Sequence, residues 1–229
     1  MSVNIAVDGP AGAGKSSVAK QVSKDLKIIY VDTGALYRAI ALFVLRKGVS
    51  PSDGAAVSAL LPDITVEPKF VDGVQRVFLN GEDVSDLIRT EEVSMATSAV
   101  SAIPEVRAFL LGLQRKIAEE NDVIMDGRDI GTVVLPNADL KIFLTASDTA
   151  RAMRRYKELC ERQGSDAPSY DEVLTLVRQR DRQDSGRETA PLKMADDAVM
   201  PDTSDLDFEG SVKLIEHLIA SNTALGGVR

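Results

Sequence analysis

Two rhythms of apolar residues alternate along the chain. Val3-Asn4-Ile5-Ala6-Val7, Ile28-Ile29-Tyr30-Val31, Asp122-Val123-Ile124-Met125 and residues 140–144 are short and almost continuously apolar. Such runs predict strands covered on both faces. Between them the spacing is helical. It predicts helices from Lys15 to about Leu26, over residues 35–47 with Gly48 as C-cap, and from Glu91 to a break at Ile103-Pro104. Pro104 suits the first turn of the next helix, which carries Val106, Phe109, Leu110, Leu113 and Ile117 on one face. Residues 148–162 and 170–183 predict two more helices, joined by loop-forming residues 163–169. Ala198-Val199-Met200 predicts a short fifth strand, and Val212, Leu214, Ile215, Leu218 and Ile219 mark a closing helix. The tail, residues 226–229, reads as disordered.

Residues 64–81 differ. Ile64, Val66, Phe70, Val74, Val77 and Leu79 fall at strand-like spacing, and Asp72-Gly73 and Asn80-Gly81 are hairpin-turn signals. They predict a small antiparallel meander of about three strands, set within an insert over residues 60–90, with Pro68 on an edge or bulge. Strands alternating with helices elsewhere predict a mostly parallel sheet with helices on both sides. Right-handed crossovers then gather the loops that follow the strands along one sheet edge.

Length and composition fit one domain: 229 residues, 44% hydrophobic. The apolar runs are too short to span a membrane, and the N-terminus lacks the basic-then-apolar pattern of a secretory signal. Cys160 is the sole cysteine, which excludes an intramolecular disulfide. These features point to the cytoplasm. The net charge of −8 argues against nucleic acid or anionic membrane as partners, and a monomer is expected. The distribution of charge changes that picture locally. Residues 151–187 hold nine basic and seven acidic residues, and eight of the nine are arginine. Arginine's planar fork suits bidentate contact with phosphate, although for any single arginine here a solvated, ion-paired helix face is an equal reading.

Residues 9–16, Gly9-Pro10-Ala11-Gly12-Ala13-Gly14-Lys15-Ser16, fit Gly-x-x-x-x-Gly-Lys-Ser between a predicted strand and a predicted helix. This is a phosphate-binding loop. Its glycines let backbone N–H groups close on a polyphosphate, and the helix start, including Ser17, adds its positive end. Lys15 brings a point charge to the transferable phosphate, and the Ser16 hydroxyl is a Mg²⁺ ligand candidate. The predicted fold is therefore an α/β P-loop NTPase, a three-layer αβα with a five-stranded parallel sheet, the small antiparallel β insert and a short arginine-rich lid over residues 151–187.

Two further motifs follow predicted strands. In Asp32-Thr33-Gly34-Ala35-Leu36-Tyr37-Arg38, Thr33 either caps the helix or donates to a phosphate, and Arg38 lies one turn in, within reach of the same anion. In Asp126-Gly127-Arg128-Asp129-Ile130-Gly131, Asp126 is placed to hold Mg²⁺ through water, Arg128 to face a phosphate, and Asp129 to accept from an exocyclic amine. The bland alternative is a tight turn with an internal Arg–Asp pair. An Asn-Lys-x-Asp guanine-reading motif is absent, which lowers the GTPase reading.

These runs, together with Arg180-Asp181-Arg182-Gln183-Asp184-Ser185-Gly186-Arg187 and Ala190-Pro191-Leu192, resemble the bacterial cytidylate kinases over nearly the whole chain. The meander resembles the insert that separates them from adenylate kinases. The resemblance implies phosphorylation of CMP and dCMP by ATP with Mg²⁺. It implies that Thr33 and Arg38, joined by Arg128 and Arg180, hold the acceptor phosphate, with Gly34 and Tyr37 in the same motif. Ser98, Arg107 and Asp129 would read cytosine. Asp184 would hold the ribose, and Arg187 would lie near ribose and phosphates. The family often has serine at the position of Thr33, and the hydroxyl is kept. On this reading Arg151, Arg154, Arg155 and Arg187 close over the ATP phosphates and exclude water. His217 on the last helix and Cys160 have no expected catalytic role. The competing readings are a kinase for another small acceptor, such as UMP, AMP or shikimate, and a non-catalytic ATP-binding module.

Overall fold

In the computed structural model, which describes residues 2–71, 73–186 and 191–227, the apolar runs pair in parallel. The chain order is β1 (Asn4–Asp8), α1 (Lys15–Leu26), β2 (Ile29–Asp32), α2 (Thr33–Arg46) and α3 (Gly54–Leu60). Then come β3 (Val66–Val71), β4 (Val74–Leu79), β5 (Glu82–Asp83), α4 (Glu91–Val100) and α5 (Pro104–Glu120). The last part holds β6 (Val123–Asp126), β7 (Leu140–Phe143), α6 (Asp148–Gln163), α7 (Tyr170–Ser185) and α8 (Phe208–Asn222). The main sheet runs β2-β6-β1-β7, all parallel, with Val7 opposite Asp126 and Asp32 opposite Asp126 on its other side.

Side chains alternate across this sheet as the pleat requires. Ile5, Val7, Ile124 and Ile142 pack with Val18 and Val22 of α1 and with Val212, Ile215 and Ile219 of α8. Ala6, Val31, Val123 and Met125 point the other way, onto Ile117 and Ala118 of α5. Burial on both faces explains the unbroken apolar runs.

The predicted fifth strand is not a paired strand. Val199 and Asp202 make isolated parallel bridges to Ile142 and Thr145. The hydrogen bonds give the reason: Val199 N–H donates to Lys141 O, Phe143 N–H to Val199 O, Thr145 N–H to Pro201 O and Thr203 N–H to Thr145 O. The intervening rung falls on Pro201, which has no N–H to donate. The sheet therefore has four strands, not five.

The meander forms as β3-β4-β5, antiparallel, with Pro68 on the edge strand β3 opposite Val77. Of the residues in its two predicted turns, Asp72 lies outside the described residues. Val66, Val77 and Leu79 join Leu36, Ile40 and Val44 of α2 in one core. On the polar side, the Gln75 amide donates to Asp32 O at 3.2 Å and accepts from Asp32 N–H at 2.8 Å. β2 is an edge strand, and Gln75 thus satisfies its last residue from the meander.

Helix α6 folds back on α7 around Ala152, Val173 and Val177, with the Tyr156 and Tyr170 rings edge to face at 6.2 Å. Ser169 and Glu172 form a capping box at the start of α7. Two other expectations differ. Helix α3 was not foreseen, and Phe109, expected on the packed face of α5, is 37% exposed while Val106, Leu110 and Ile117 are buried. Among the described residues no single helix is long and apolar enough to cross a membrane.

Candidate active site

The loop after β1 turns at Gly9, Gly12 and Gly14, with φ of 140°, 77° and 88°. At Gly9 a Cβ would stand 2.1 Å from Leu144 O, so this glycine lets the loop leave β1 against β7. Residues from Ala11 to Ser17 line one end of a cleft of about 730 Å³. Lys15 is buried, and its Nζ donates to Pro10 O at 2.8 Å. Burial, with the nearby Arg128 cation, holds the Lys15 ammonium well below the usual lysine range, against the pull of Asp126, Asp8 and Asp184.

Asp126 ends β6 at the base of the same cleft. Ser16 Oγ donates to its Oδ2 at 2.6 Å and the Tyr30 hydroxyl to its Oδ1 at 3.0 Å. Burial and the charge of Asp32 raise the Asp126 carboxyl. Burial and the same two carboxylates also push the Tyr30 hydroxyl up, so it remains a donor.

Thr33 does not cap α2. Asp32 does, accepting from Ala35 N–H at 2.9 Å, and Thr33 Oγ1 donates to Asp126 O at 2.8 Å. Both residue types are good caps, and the helix starts at Thr33, two residues earlier than the apolar pattern suggests. The other oxygen of Asp32 accepts from Arg38 at 2.8 Å and lies 3.7 Å from Arg89. The Arg38 Nε is buried and has no hydrogen-bond partner among the described residues. Gly34 is crowded as well: a Cβ there would meet Asp32 Oδ1 at 3.2 Å and Arg38 at 3.3 Å.

Gly127 is held even more closely, since a Cβ would stand 2.6 Å from Ile130 and 2.9 Å from Thr33 Oγ1. Beyond it Arg128 donates from Nε to Asp184 at 2.9 Å and from Nη1 to Gly127 O at 3.1 Å. Asp129, buried, pairs with Arg107, whose guanidinium also donates to Ser101 O at 3.0 Å and sits over the Tyr37 ring at 5.3 Å. Thr97, Ser98 and Ser101 close that end of the cleft.

Of the arginines in the α6–α7 region, Arg154, Arg155 and Arg180 line the cleft. Arg154 reaches Ala13 O at 3.4 Å, Leu206 O at 3.2 Å and Thr203 O. Arg155 pairs with Glu158 at 2.8 Å on an exposed helix face. Arg151, expected among the ATP ligands, is buried and does not line the cleft. Its guanidinium is spent on Ala146 O at 2.9 Å, Ala11 O at 3.0 Å and a bidentate pair with Asp181 at 2.7 and 3.0 Å. Arg151 therefore pins the phosphate loop to α7. Arg187 lies outside the described residues.

Four contributors were not assigned a role from the sequence: Asp32 as cap and partner of Arg38, Tyr30 on Asp126, Asp181 on Arg151, and Asp8. Asp8 had a signal, a carboxylate closing an apolar strand immediately before the phosphate loop. Its Oδ1 and Oδ2 accept the N–H groups of Ile130 and Gly131 at 2.8 and 2.7 Å. Burial pushes its carboxyl up to about 6, against those two bonds.

A parallel sheet, a phosphate loop between its first strand and helix, and a cation-lined cleft across the strand ends define a P-loop kinase. The cytidylate kinase pattern matches residues 5–221, and the chain belongs to the cytidylate kinase family. It is 50% identical over 223 residues to the cytidylate kinase of Caldanaerobacter subterraneus subsp. tengcongensis, covering 97% of both chains. It is also 50% identical over 207 residues to that of Caldicellulosiruptor bescii, covering 90% of this chain and 91% of the relative. Among solved structures, an uncharacterized protein from Eubacterium ventriosum shares the fold at 16% identity with a TM-score of 0.50, over 96% of this chain and 99% of the other.

Proposed function

We propose that this chain transfers the γ-phosphoryl group of ATP to the phosphate of CMP or dCMP, giving ADP and CDP or dCDP. The observation that carries this reading is the Asp129–Arg107 pair standing in the same cleft as Lys15 and the phosphate loop. Cytosine offers an amine donor beside ring acceptors. A carboxylate next to a guanidinium is the complementary edge.

A phosphate oxygen of the acceptor attacks the γ-phosphorus in line as the bond to the β,γ-bridging oxygen breaks, and ADP leaves with that electron pair. The attacking group is already anionic, so no strong base is required. The protein's work is alignment and the spread of positive charge. Lys15 and the loop N–H groups take the donor phosphates. Arg38, with its unpartnered Nε, and Arg128 take the acceptor phosphate together with Arg180. Thr33 and Gly34 shape that seat, Tyr37 carries Arg107, and Ser98 lies beside the base. Asp184, which holds Arg128, and Arg187 serve the ribose side. Arg154 and Arg155 move with α6 as the lid closes and water is excluded.

The residues fit a magnesium ion. Ser16 Oγ and the Asp126 carboxylate are an all-oxygen pair 2.6 Å apart at the base of the loop, and Mg²⁺ commonly takes one or two protein oxygens beside phosphates and water. Bound there, it would neutralise charge on the β- and γ-phosphates.

ADP release measured with CMP, dCMP, UMP and AMP as acceptors tests the reading. Turnover is expected with CMP and dCMP, at roughly a hundredfold higher kcat/KM than with UMP. ATP binding with no ADP from any acceptor would make this a non-catalytic module, and preference for UMP or AMP would make it another kinase. Arg38→Ala should raise the KM for CMP about tenfold or more and leave that for ATP within about twofold. The opposite split would move Arg38 to the donor side.

A further inference from the structure

Asp8 immediately precedes the phosphate loop, yet its carboxylate holds the backbone that follows Asp129. It accepts the N–H groups of Ile130 and Gly131, which open the π-helical turn Ile130–Val134 directly after Asp129. The fit is close. A Cβ on Gly131 would meet Asp8 Oδ2 at 3.4 Å and the Lys141 side chain at 3.2 Å. The turn is tied further along as well, with Leu135 N–H donating to Ile130 O and the Arg115 guanidinium to the Val133 and Val134 carbonyls. Its first two amides depend on Asp8. Burial raises the Asp8 carboxyl and the two backbone bonds oppose that, so those bonds are what holds the carboxylate in place beside Asp129.

We infer that Asp8 is a positioning residue for pyrimidine recognition: by holding the N–H groups of Ile130 and Gly131 it fixes the backbone that presents Asp129 to Arg107 and to the acceptor base. The inference rests on the proposed role of Asp129. It makes the end of β1 a shared support, with the donor loop leaving on one side and the base reader braced on the other. Asparagine at position 8 has nearly the same shape but a single acceptor oxygen, so one N–H would lose its acceptor and face an NH₂ group instead.

The test is Asp8→Asn, Asp129→Ala and the double variant, each assayed with CMP, UMP and ATP. Asp8→Asn should lower the CMP/UMP ratio of kcat/KM about tenfold, leave the KM for ATP within about twofold, and produce no further loss of selectivity in the Asp129→Ala background. A ratio within about twofold of the parent's, an equal loss in the Asp129→Ala background, or a KM for ATP that rises as much as that for CMP overturns it. If Asp8→Asn does not fold, Asp8→Glu keeps both acceptor oxygens one methylene further out. It must show the same selectivity loss and the same dependence on Asp129, and an unchanged ratio overturns the inference. A parent enzyme with no preference for CMP over UMP would instead refute the role of Asp129.

Discussion

Lys15→Ala should lower kcat with CMP about a thousandfold while the protein folds as before. The two halves of this expectation have one cause. Lys15 is buried beside Arg128, and that environment depresses its ammonium, so the folded chain is not stabilised by the charge it holds there. Its hydrogen bond to Pro10 O is a neutral-acceptor contact of modest net value. A polyphosphate changes that balance. Its oxygens would meet a cation already desolvated and fixed, where each charge-assisted bond counts most as charge shifts to the β,γ-bridging oxygen. Thermal unfolding within a few degrees of the parent, with steady-state ADP production near the detection floor, is the expected pair of readings. A variant that keeps a tenth or more of the parent kcat would remove Lys15 from the phosphate seat.

Asp129→Ala should collapse selectivity rather than turnover alone. The carboxylate is buried, pairs with the Arg107 guanidinium and lines the cleft beside it, where it can receive a donor. Uracil presents a carbonyl where cytosine presents its amine, so in the parent protein that carbonyl faces the Asp129 carboxylate, acceptor against acceptor, at a cost of about 2–4 kcal/mol even though Arg107 still pairs with the anion. Alanine removes that penalty together with the reward. CMP should lose about a hundredfold in kcat/KM and UMP much less, bringing the two close together. Arg107 would keep its bond to Ser101 O and its place over Tyr37, which limits collateral change. An unaltered CMP/UMP ratio would assign base reading to other residues.

The parts legible in the sequence are those written in local pattern. The four sheet strands read as apolar runs because both of their faces are covered. The phosphate loop was legible because its glycines, lysine and serine must sit at fixed spacing for a backbone to wrap a phosphate. What was missed depends on partners far along the chain. The sequence puts Arg151 among the arginines that close over the ATP phosphates, and its pairing with Asp181, thirty residues on, and with Ala11 O appears only when α6 and α7 fold back. The expected fifth strand had the right residues, but Pro201 falls on the rung that needs an N–H. Helix α3 is short, with Val57 its one fully buried residue, too little for a period to show. At Asp32-Thr33 two good caps stand side by side, and sequence alone does not choose between them.

The structure of this protein crystallised with CMP and a non-hydrolysable ATP analogue tests the central claim most directly. The CMP phosphate should lie against Arg38 and Arg128 with the cytosine amine on Asp129, and the analogue's terminal phosphate should sit at Lys15. A CMP molecule bound elsewhere, or with its base turned away from Asp129 and Arg107, would contradict it.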